Sequence, residues 1–397
     1  MTSEQLKILT NKGVIIKHPG SIFIDDDVIL DNICSGAEIY PGCRIFGSTT
    51  YIGKGAKLGN EAPVTVKNSQ LGDGATIAGG FIDNTTLLEG ANAGDGFHSR
   101  PGTLLEEYAA VGHTVGLKQT ILFPFVTTGS LINFCDILMS GGTSESNHSE
   151  VGSSYIHFNF TPHQDKATAS LVGDVINGVW LDKDPIFLGG QGGLVGPRRI
   201  AYGTVVGAGI ILRRDVTNEG MLISGSNVGN GRERPYNFKL YGQIGGIITN
   251  CLEYIAQIRM LYIWYKEVRA LYLPEQLLSG ATKRIEQVFD ERIKRLKQLV
   301  EKFKGSIEEA GARKTSGIFA AQQSFVDAWP ELETRLRNNF KHWERLPDEI
   351  ASTLRDHIQA APNYPIAIQT IPTELKGIIS NWFNTNYNNR ITYEKTK

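Results

Sequence analysis

The sequence lacks the features that direct a protein to nucleic acid or to lipid. Its 397 residues carry 40 lysines and arginines against 41 acidic residues, so the formal net charge is only −1. No global field therefore favours nucleic acid, an anionic membrane or another charged polymer as partner. No apolar run reaches the roughly 20 residues of a membrane span, and the start, MTSEQLKILTNKG, is no signal peptide. We expect a soluble protein with no membrane span and no nucleic-acid partner.

Cysteine is also scarce. The four cysteines, Cys34, Cys43, Cys135 and Cys251, fall singly and form no C-x-x-C pair. This spacing is typical of reduced thiols that act as small buried apolar residues. The pattern favours a cytoplasmic location, and we predict no metal in the functional site.

What the sequence does contain is a six-residue repeat. Its clearest run of aliphatic side chains is Leu188, Leu194, Ile200, Val206 and Leu212. Period six matches neither a helix nor a plain strand. It fits short strands joined by tight corners. Three such strands close one coil of about 18 residues around a narrow lumen. We predict an all-β left-handed parallel β-helix, a hexapeptide-repeat solenoid, over residues 14–225, with on the order of ten coils.

The second half changes character, because glycine becomes scarce and helix formers take over. Apolar residues at Ile285, Phe289, Ile293 and Leu296 predict a long amphipathic helix. The segment 247–271 is apolar almost all round, which predicts a buried helix. Shorter helices are predicted in PELETRLRNNFKHW and PDEIASTLRDHIQ, each introduced by proline or aspartate. We predict an α-helical bundle over residues 240–397.

Three segments in the first half carry a family resemblance. They are RPGTLLEEYAAVGHTVGLK, EVGSSYIHFNFTPHQDKATASLVGDV and IFLGGQGGLVGPRRIAYGTVVGAGIILRRDV. In this order they resemble the acetyltransferase half of bacterial bifunctional N-acetylglucosamine-1-phosphate uridyltransferase/glucosamine-1-phosphate acetyltransferase. The resemblance covers residues 95–220 with gaps and leaves out the helical half. The chain has no Gly-rich nucleotide-binding segment, so no uridyltransferase activity is expected from it alone.

The resemblance implies an acceptor site. Arg100 and Lys118 match the residues that hold the sugar phosphate, and Asn159 matches a residue that contacts the sugar. Lys166 matches a further lysine, although the spacing differs there. His113 and His163 are additional polar candidates for substrate binding in the same segments.

The resemblance also implies acetyl-CoA as acyl donor and a homotrimer whose cofactor groove is shared between neighbouring solenoids. Ser153, Gly190 and Ala208 match the positions where backbone groups meet the cofactor. The family's arginine for the nucleotide phosphates falls on Gly225, with Arg232 and Arg234 as replacement candidates. Trp180, in an insertion beside the groove, could equally stack on a ligand or cover an apolar patch.

The family's catalytic histidine is not matched. Direct alignment places Phe134 on it and Ile137 on a neighbouring tyrosine, and phenylalanine cannot take a proton from an attacking amine. Our candidates for the base are His157 and Asp136, which lie about one coil apart in sequence. The alternative is that His157 is a structural histidine and that Asp136 caps a turn.

Two kinds of function follow from the resemblance. The first is an N-acyltransferase that moves acetyl from acetyl-CoA to an amino group on a sugar phosphate or sugar nucleotide, in the chemistry that leads towards UDP-N-acetylglucosamine. The alternative is a catalytically inactive scaffold that binds a sugar nucleotide, or a partner subunit of a separate nucleotidyltransferase. Loss of the histidine favours the scaffold, whereas the polar loop YIHFNFTPHQDKA and the LGGQGG segment favour the enzyme.

Overall fold

The computed structural model describes residues 1–225, 236–311 and 317–393. As predicted, a left-handed parallel β-helix is followed by a helical region. The strands, in chain order, are β1 (Ile15–Ile16), β2 (Phe23–Ile24), β3 (Glu38–Ile39), β4 (Arg44–Phe46), β5 (Tyr51–Ile52), β6 (Lys57–Leu58), β7 (Val64–Lys67), β8 (Gln70–Leu71), β9 (Thr76–Ile77), β10 (Gly80–Asp83), β11 (Thr85–Leu87), β12 (Asn92–Ala93), β13 (Phe97–Ser99), β14 (Thr103–Leu105), β15 (Ala110–Val111), β16 (Gly116–Leu122), β17 (Thr127–Thr128), β18 (Asn133–Met139), β19 (Gly142–Ser144), β20 (Asn147–His148), β21 (Glu150–Val151), β22 (Ile156–Phe158), β23 (Ser170–Val172), β24 (Phe187–Leu188), β25 (Gly193–Val195), β26 (Arg199–Ile200), β27 (Val205–Val206), β28 (Ile211–Leu212) and β29 (Leu222–Ile223). The helices are α1 (Ser3–Asn11), α2 (Val175–Gly178), α3 (Gly245–Glu267), α4 (Glu275–Ala310), α5 (Gly317–Lys341), α6 (Asp348–Ala360), α7 (Tyr364–Gln369) and α8 (Thr373–Asn388).

The solenoid has three faces, each formed by one strand from every coil. Face 1 is a parallel sheet of eleven strands that runs from β1 to β29, so the solenoid has about eleven coils. Face 2 runs from β2 through β10 and β13 to β28, and face 3 runs from β5 through β11 and β14 to β26. The long strands β16 and β18 turn the corner and belong to both faces.

The six-residue repeat marks the lumen, as predicted. Leu188, Leu194 and Val206 have no exposed surface, and Ile200 and Leu212 are at most 3% exposed. The side chains between them point outward, because successive residues of a strand alternate between its two sides.

The helical region covers face 3. Helix α4 packs along β8, β11, β14 and β16, and α3 packs on β23. Helices α3 and α4 confirm the two long helices expected from the apolar patterns. The prediction that proline introduces a helix at PELETR is wrong, because α5 begins at Gly317 and Pro330 lies inside it. The predicted domain limits stay predictions; the last strand ends at Ile223 and α3 begins at Gly245.

Two insertions in the solenoid dock the helices. Trp180, which follows α2, is 6% exposed and makes an edge contact with Trp264 at 5.2 Å between ring centroids. Gln369 donates to the carbonyls of Thr143 and Leu181 at 2.6 and 2.9 Å. Trp180 therefore covers an apolar patch rather than a ligand. Across the described part of the chain, no helix combines the length and apolarity that a membrane crossing needs.

Candidate functional site

Three cations converge on face 2. The N–H of Arg100 donates to the carbonyl of Leu117, the residue before Lys118, and Lys118 lies in register with Cys135, so these side chains occupy successive coils. The Arg100 Nη2 atom lies 3.9 Å from the Cys135 Sγ atom. Because outward positions of one column stack along the solenoid, Arg100 and Lys118 face the same side.

Lys166 joins this group from the loop after β22. Burial and the charge of Asp136 raise the pKa of the Cys135 thiol, and the charges of Arg100, Lys118 and Lys166 oppose that rise. Within the described ranges none of these three cations pairs with a carboxylate. Uncompensated cations on one surface favour an anionic ligand.

A cleft of about 420 Å³ opens on the same face. Its lining residues are His98, Arg100, Thr114, Gly116, Leu117, Leu131, Ile132 and Asn133. Gly116 lies in register between His98 and Asn133, and it has no side chain to fill the space between them. The polar side chains of His98 and Asn133 therefore lie on either side of the space left open at Gly116.

The structure does not support His157 as the base. Its side chain is 3% exposed and points into the lumen. Both ring nitrogens are occupied, Nδ1 by the Cys135 carbonyl and Nε2 by Ser170 Oγ at 2.8 Å. Burial lowers the pKa of His157 to about 4, so the ring is neutral near pH 7. Because the ring lies in the lumen, it cannot reach a substrate on the outer surface.

Asp136 is no better placed for that role. Its carboxylate is 4% exposed and forms an ion pair with Arg292 of α4. The Asn159 amide donates to its second oxygen at 3.5 Å. This pairing leaves Asp136 committed to the junction between the solenoid and the helical region.

The two positions aligned with the family's histidine and tyrosine lie in the lumen. Phe134 and Ile137 have no exposed surface, and Phe134 packs edge-on against Tyr155 at 6.2 Å. A polar residue at either position would face the core. The phenylalanine at position 134 therefore does not determine whether a base is present on the outer surface.

The loop after β22 is attached to the helical region. His163 Nδ1 contacts the Phe238 carbonyl at 3.0 Å, and its ring stacks on Tyr241 at 4.1 Å. Lys302 of α4 donates to the His163 carbonyl at 3.0 Å. His163 thus holds the loop that carries Asn159 and Lys166, and it does not line the cleft described above.

The predicted cofactor positions form a ladder at the corner between faces 1 and 2. Ser153, Gly190 and Ala208 each follow a glycine, and a Cβ at Gly152 would lie 2.3 Å from the Gly190 nitrogen. Ser153 and Ala208 are exposed and Gly190 is half-buried. Within the described residues, the backbone N–H groups of these three have no acceptor. They can donate to an extended ligand that carries amide carbonyls.

The same ladder continues to two residues of the preceding coils. Ser130 follows Gly129, and His113 follows Gly112. The Ser130 Oγ atom lies 2.6 Å from His113 Nδ1, and the N–H of Ser130 donates to Ser153 Oγ at 3.2 Å. His113 therefore lies beside the predicted cofactor groove, rather than among the cations Arg100, Lys118 and Lys166.

The remaining predictions are tested less directly. Gly225 ends the described solenoid, and Arg232 and Arg234 lie outside the described residues. In the described ranges, no group of three or more His, Cys, Asp or Glu side chains is arranged to hold a metal ion.

Sequence reasoning missed Ser130, Asn133 and Arg292. The six-residue register could have placed Ser130 at an outward corner, since it follows a glycine in the same phase as Ser153. Nothing in the sequence of α4 singles out Arg292 from its exposed neighbours, because its partner Asp136 lies 156 residues away.

The fold and this site define a hexapeptide-repeat solenoid with a cleft lined by Arg100 beside a ladder of free backbone donors. No protein-family model matches the chain. It is 27% identical over 213 residues to the bifunctional protein GlmU of Pelobacter propionicus, covering 53% of this chain and 41% of that protein. It is 28% identical over 231 residues to the bifunctional protein GlmU of Oleidesulfovibrio alaskensis, covering 56% and 45%. These matches confirm the resemblance to the acetyltransferase half of GlmU-like proteins.

The chain spans about two fifths of the length of these curated relatives. A solved structure, the polysialic acid O-acetyltransferase OatWY, matches 56% of this chain and 90% of its own at 12% identity and a TM-score of 0.17. That score is too low for the likeness to carry an argument.

Proposed function

We propose that this protein transfers an acetyl group from acetyl-CoA to an amino group on a sugar phosphate or sugar nucleotide. The observation that carries the proposal is the position of Arg100, Lys118 and Lys166. These cations lack carboxylate partners among the described residues, and Arg100 and Lys118 lie in successive coils of face 2. The charges of all three act on the Cys135 thiol, and the cleft lined by Arg100 lies beside the corner ladder.

The cations suit the acceptor's phosphate. A guanidinium and an ammonium together give charge-assisted hydrogen bonds to a phosphate, which are the strong kind. Asn133, on the cleft wall, and Asn159, half-buried on the neighbouring loop, have amides that can bind sugar hydroxyls. Along one coil Thr114 and Lys118 are four residues apart, about 13 Å at strand spacing. This span accommodates a sugar ring with its phosphate.

The corner ladder suits the pantetheine arm of acetyl-CoA. Its amide carbonyls can accept from the free N–H groups of Ser153, Gly190 and Ala208. The ladder lies on an open corner, while the chain's own helices cover face 3. A homotrimer in which a neighbouring solenoid closes the groove is part of this proposal.

The test is release of free thiol by the purified full chain from acetyl-CoA in the presence of glucosamine 1-phosphate. We expect R100Q and K118Q each to raise the KM for the acceptor about 10- to 100-fold, since each removes a charged hydrogen bond worth about 1.5–3 kcal/mol. K67Q is the matched control, because Lys67 is an exposed cation on face 2 in β7, two coils before the coil that carries Arg100. An unchanged KM in both variants would contradict the phosphate site.

The burial of His157 and Asp136 favours a second candidate, a sugar-nucleotide binder without catalysis. On that proposal, UDP-N-acetylglucosamine raises the melting temperature of the protein by ligand linkage, and coenzyme A does not. Thiol release from acetyl-CoA with any amino-sugar phosphate would exclude it.

A further inference from the structure

The contact between His113 and Ser130 leaves one ring nitrogen of an exposed histidine open beside the predicted cofactor groove. His113 Nδ1 lies 2.6 Å from Ser130 Oγ, and the His113 side chain is exposed. Its Nε2 atom has no hydrogen-bond partner in the part of the chain that the structure describes. When Ser130 accepts from Nδ1–H, the lone pair of Nε2 is free to take a proton.

The backbone places this pair in line with the cofactor ladder. Successive rungs are joined by hydrogen bonds from Leu131 N–H to the His113 carbonyl (3.1 Å), Ser154 N–H to that of Ser130 (2.9 Å), Gln191 N–H to that of Ser153 (2.8 Å) and Gly209 N–H to that of Gly190 (2.9 Å). Ser130 and His113 therefore occupy the same corner in the next two coils beyond a ligand held by the free donors of Ser153, Gly190 and Ala208.

The pair also borders the acceptor cleft. Thr114 and Leu131, which directly follow His113 and Ser130, line the cleft together with Arg100. The His113–Ser130 pair thus stands where the cofactor ladder meets the cleft. Acyl transfer requires the thioester and the acceptor amine to meet at one point.

We propose that His113 is the general base of the acyl transfer and that Ser130 orients its ring, an assignment that rests on the function proposed above. The neutral acceptor amine attacks the thioester carbonyl carbon, and a carbon–nitrogen bond forms. His113 Nε2 takes one proton from that nitrogen. The carbon–sulfur bond then breaks, and the departing thiolate receives the proton from the imidazolium. The products are the amide and free coenzyme A, with no other reactant needed.

The other histidines near the site are less suited to this step. His157 is buried with both nitrogens occupied. His163 stacks on Tyr241 in the loop attached to the helical region and does not line the cleft. His98 lines the cleft, but its ring stacks on Phe81 at 5.1 Å, and it lies one coil further from the cofactor ladder than His113. His98 is therefore the rival that the experiment must separate from His113.

The experiment measures steady-state transfer from acetyl-CoA to glucosamine 1-phosphate by the full chain and by the variants H113Q, S130A, H98Q and H148Q. We expect H113Q to lower kcat about 10²- to 10⁴-fold and to lose the acidic limb of the pH profile, with the KM for acetyl-CoA nearly unchanged. S130A should lower kcat less and shift the midpoint of that limb, since Ser130 acts through His113. H148Q is the control, because His148 contacts the Glu145 carbonyl on the β19–β20 hairpin, away from the cleft.

The outcomes separate the two proposals. If the wild type transfers acetyl and the kcat of H113Q is within about threefold of the wild-type kcat, the role of His113 is overturned and the proposed function stands. The same holds if H98Q, rather than H113Q, lowers kcat. No transfer by the wild type overturns both. Partial rescue of an H113A variant by added imidazole, with an unchanged melting temperature, would support the base role over a structural one.

Discussion

Arg269 and Glu107 form a fully buried pair that joins the helical region to the solenoid. The guanidinium, in the turn after α3, donates from Nη1 and Nη2 to the two carboxylate oxygens at 2.8 and 2.7 Å. Neither side chain has exposed surface. The Tyr364 ring lies 3.6 Å from the guanidinium carbon, and Glu106 lies 3.6 Å away as a second carboxylate. Together with Arg292 and Asp136, this pair makes the helices part of one core with the solenoid.

We predict that R269M lowers the free energy of unfolding by about 3–5 kcal/mol, because it leaves the Glu107 charge buried without a partner. The measurement is urea unfolding followed by circular dichroism. The double variant R269M/E107L should recover part of the loss, since no charge is then left in the core.

The matched control is R337M. Arg337 forms an exposed pair with Glu333 on α5, with 44% of the arginine side chain exposed, and such pairs contribute about 0–1 kcal/mol. If R269M lowers the unfolding free energy no more than R337M does, the buried Arg269–Glu107 pair does not stabilise the junction as predicted.

Glu106 gives the same cluster a pH dependence. Burial raises its pKa to about 7, against the opposing charge of Arg269, whereas an unfolded glutamate titrates near 4.5. Between these values the folded state holds a proton that the unfolded state releases, so stability falls as pH rises from about 4.5 to 7 and is level above.

We predict that E106Q removes this fall. Between pH 4.5 and 7 the unfolding free energy of the wild type should fall by up to about 3 kcal/mol relative to that of E106Q. Urea unfolding at a series of pH values measures it. A difference that does not change with pH would show that Glu106 is ionised in the fold throughout.

The fold was predictable from the sequence because each coil repeats the same local requirement. An aliphatic side chain such as Leu194 or Val206 must face the lumen every six residues, and this period is visible in one dimension. Arg100 and Lys118 were singled out through the resemblance as candidates to hold a phosphate, and they lie in successive coils.

The surroundings of the two candidate bases, His157 and Asp136, could not be predicted in the same way. Whether His157 faces the lumen or the solvent depends on the corner that precedes it, where Ser154 adopts a left-handed backbone with φ of 62°. The pairing of Asp136 with Arg292 depends on a helix that begins more than a hundred residues later. Neither contact leaves a periodic signal.

His157 predicts a loss of stability in acid. Its pKa is lowered by burial from 6.5 in the unfolded chain to about 4. The unfolded state therefore binds a proton before the folded state does, and the contribution of His157, complete above about pH 6.5, is lost as pH falls towards 4. H157Q keeps a polar side chain and has no charge to gain. We expect the stability gap between the wild type and H157Q to narrow from pH 7 to pH 4, as measured by urea unfolding. A constant gap would show that folding leaves the pKa of His157 unchanged.

The last prediction concerns the loop that carries Asn159 and Lys166. The Tyr241 hydroxyl donates to Asp165 at 2.9 Å, and Asp165 is 5% exposed. Y241F removes this bond and leaves a buried carboxylate oxygen with one donor fewer, at a cost of about 1–3 kcal/mol. Amide hydrogen exchange should become faster between residues 161 and 167, and the KM for the acceptor should rise, because Lys166 is held less firmly.

Y236F is the control for this variant. The Tyr236 hydroxyl reaches the same loop, at 3.3 Å from His163 Nδ1, but at an exposed position where water replaces a lost partner at little cost. We expect its exchange rates to match those of the wild type. Equal exchange in Y241F and Y236F would show that the stacking of His163 on Tyr241, which both variants retain, is sufficient to hold the loop against the helical region.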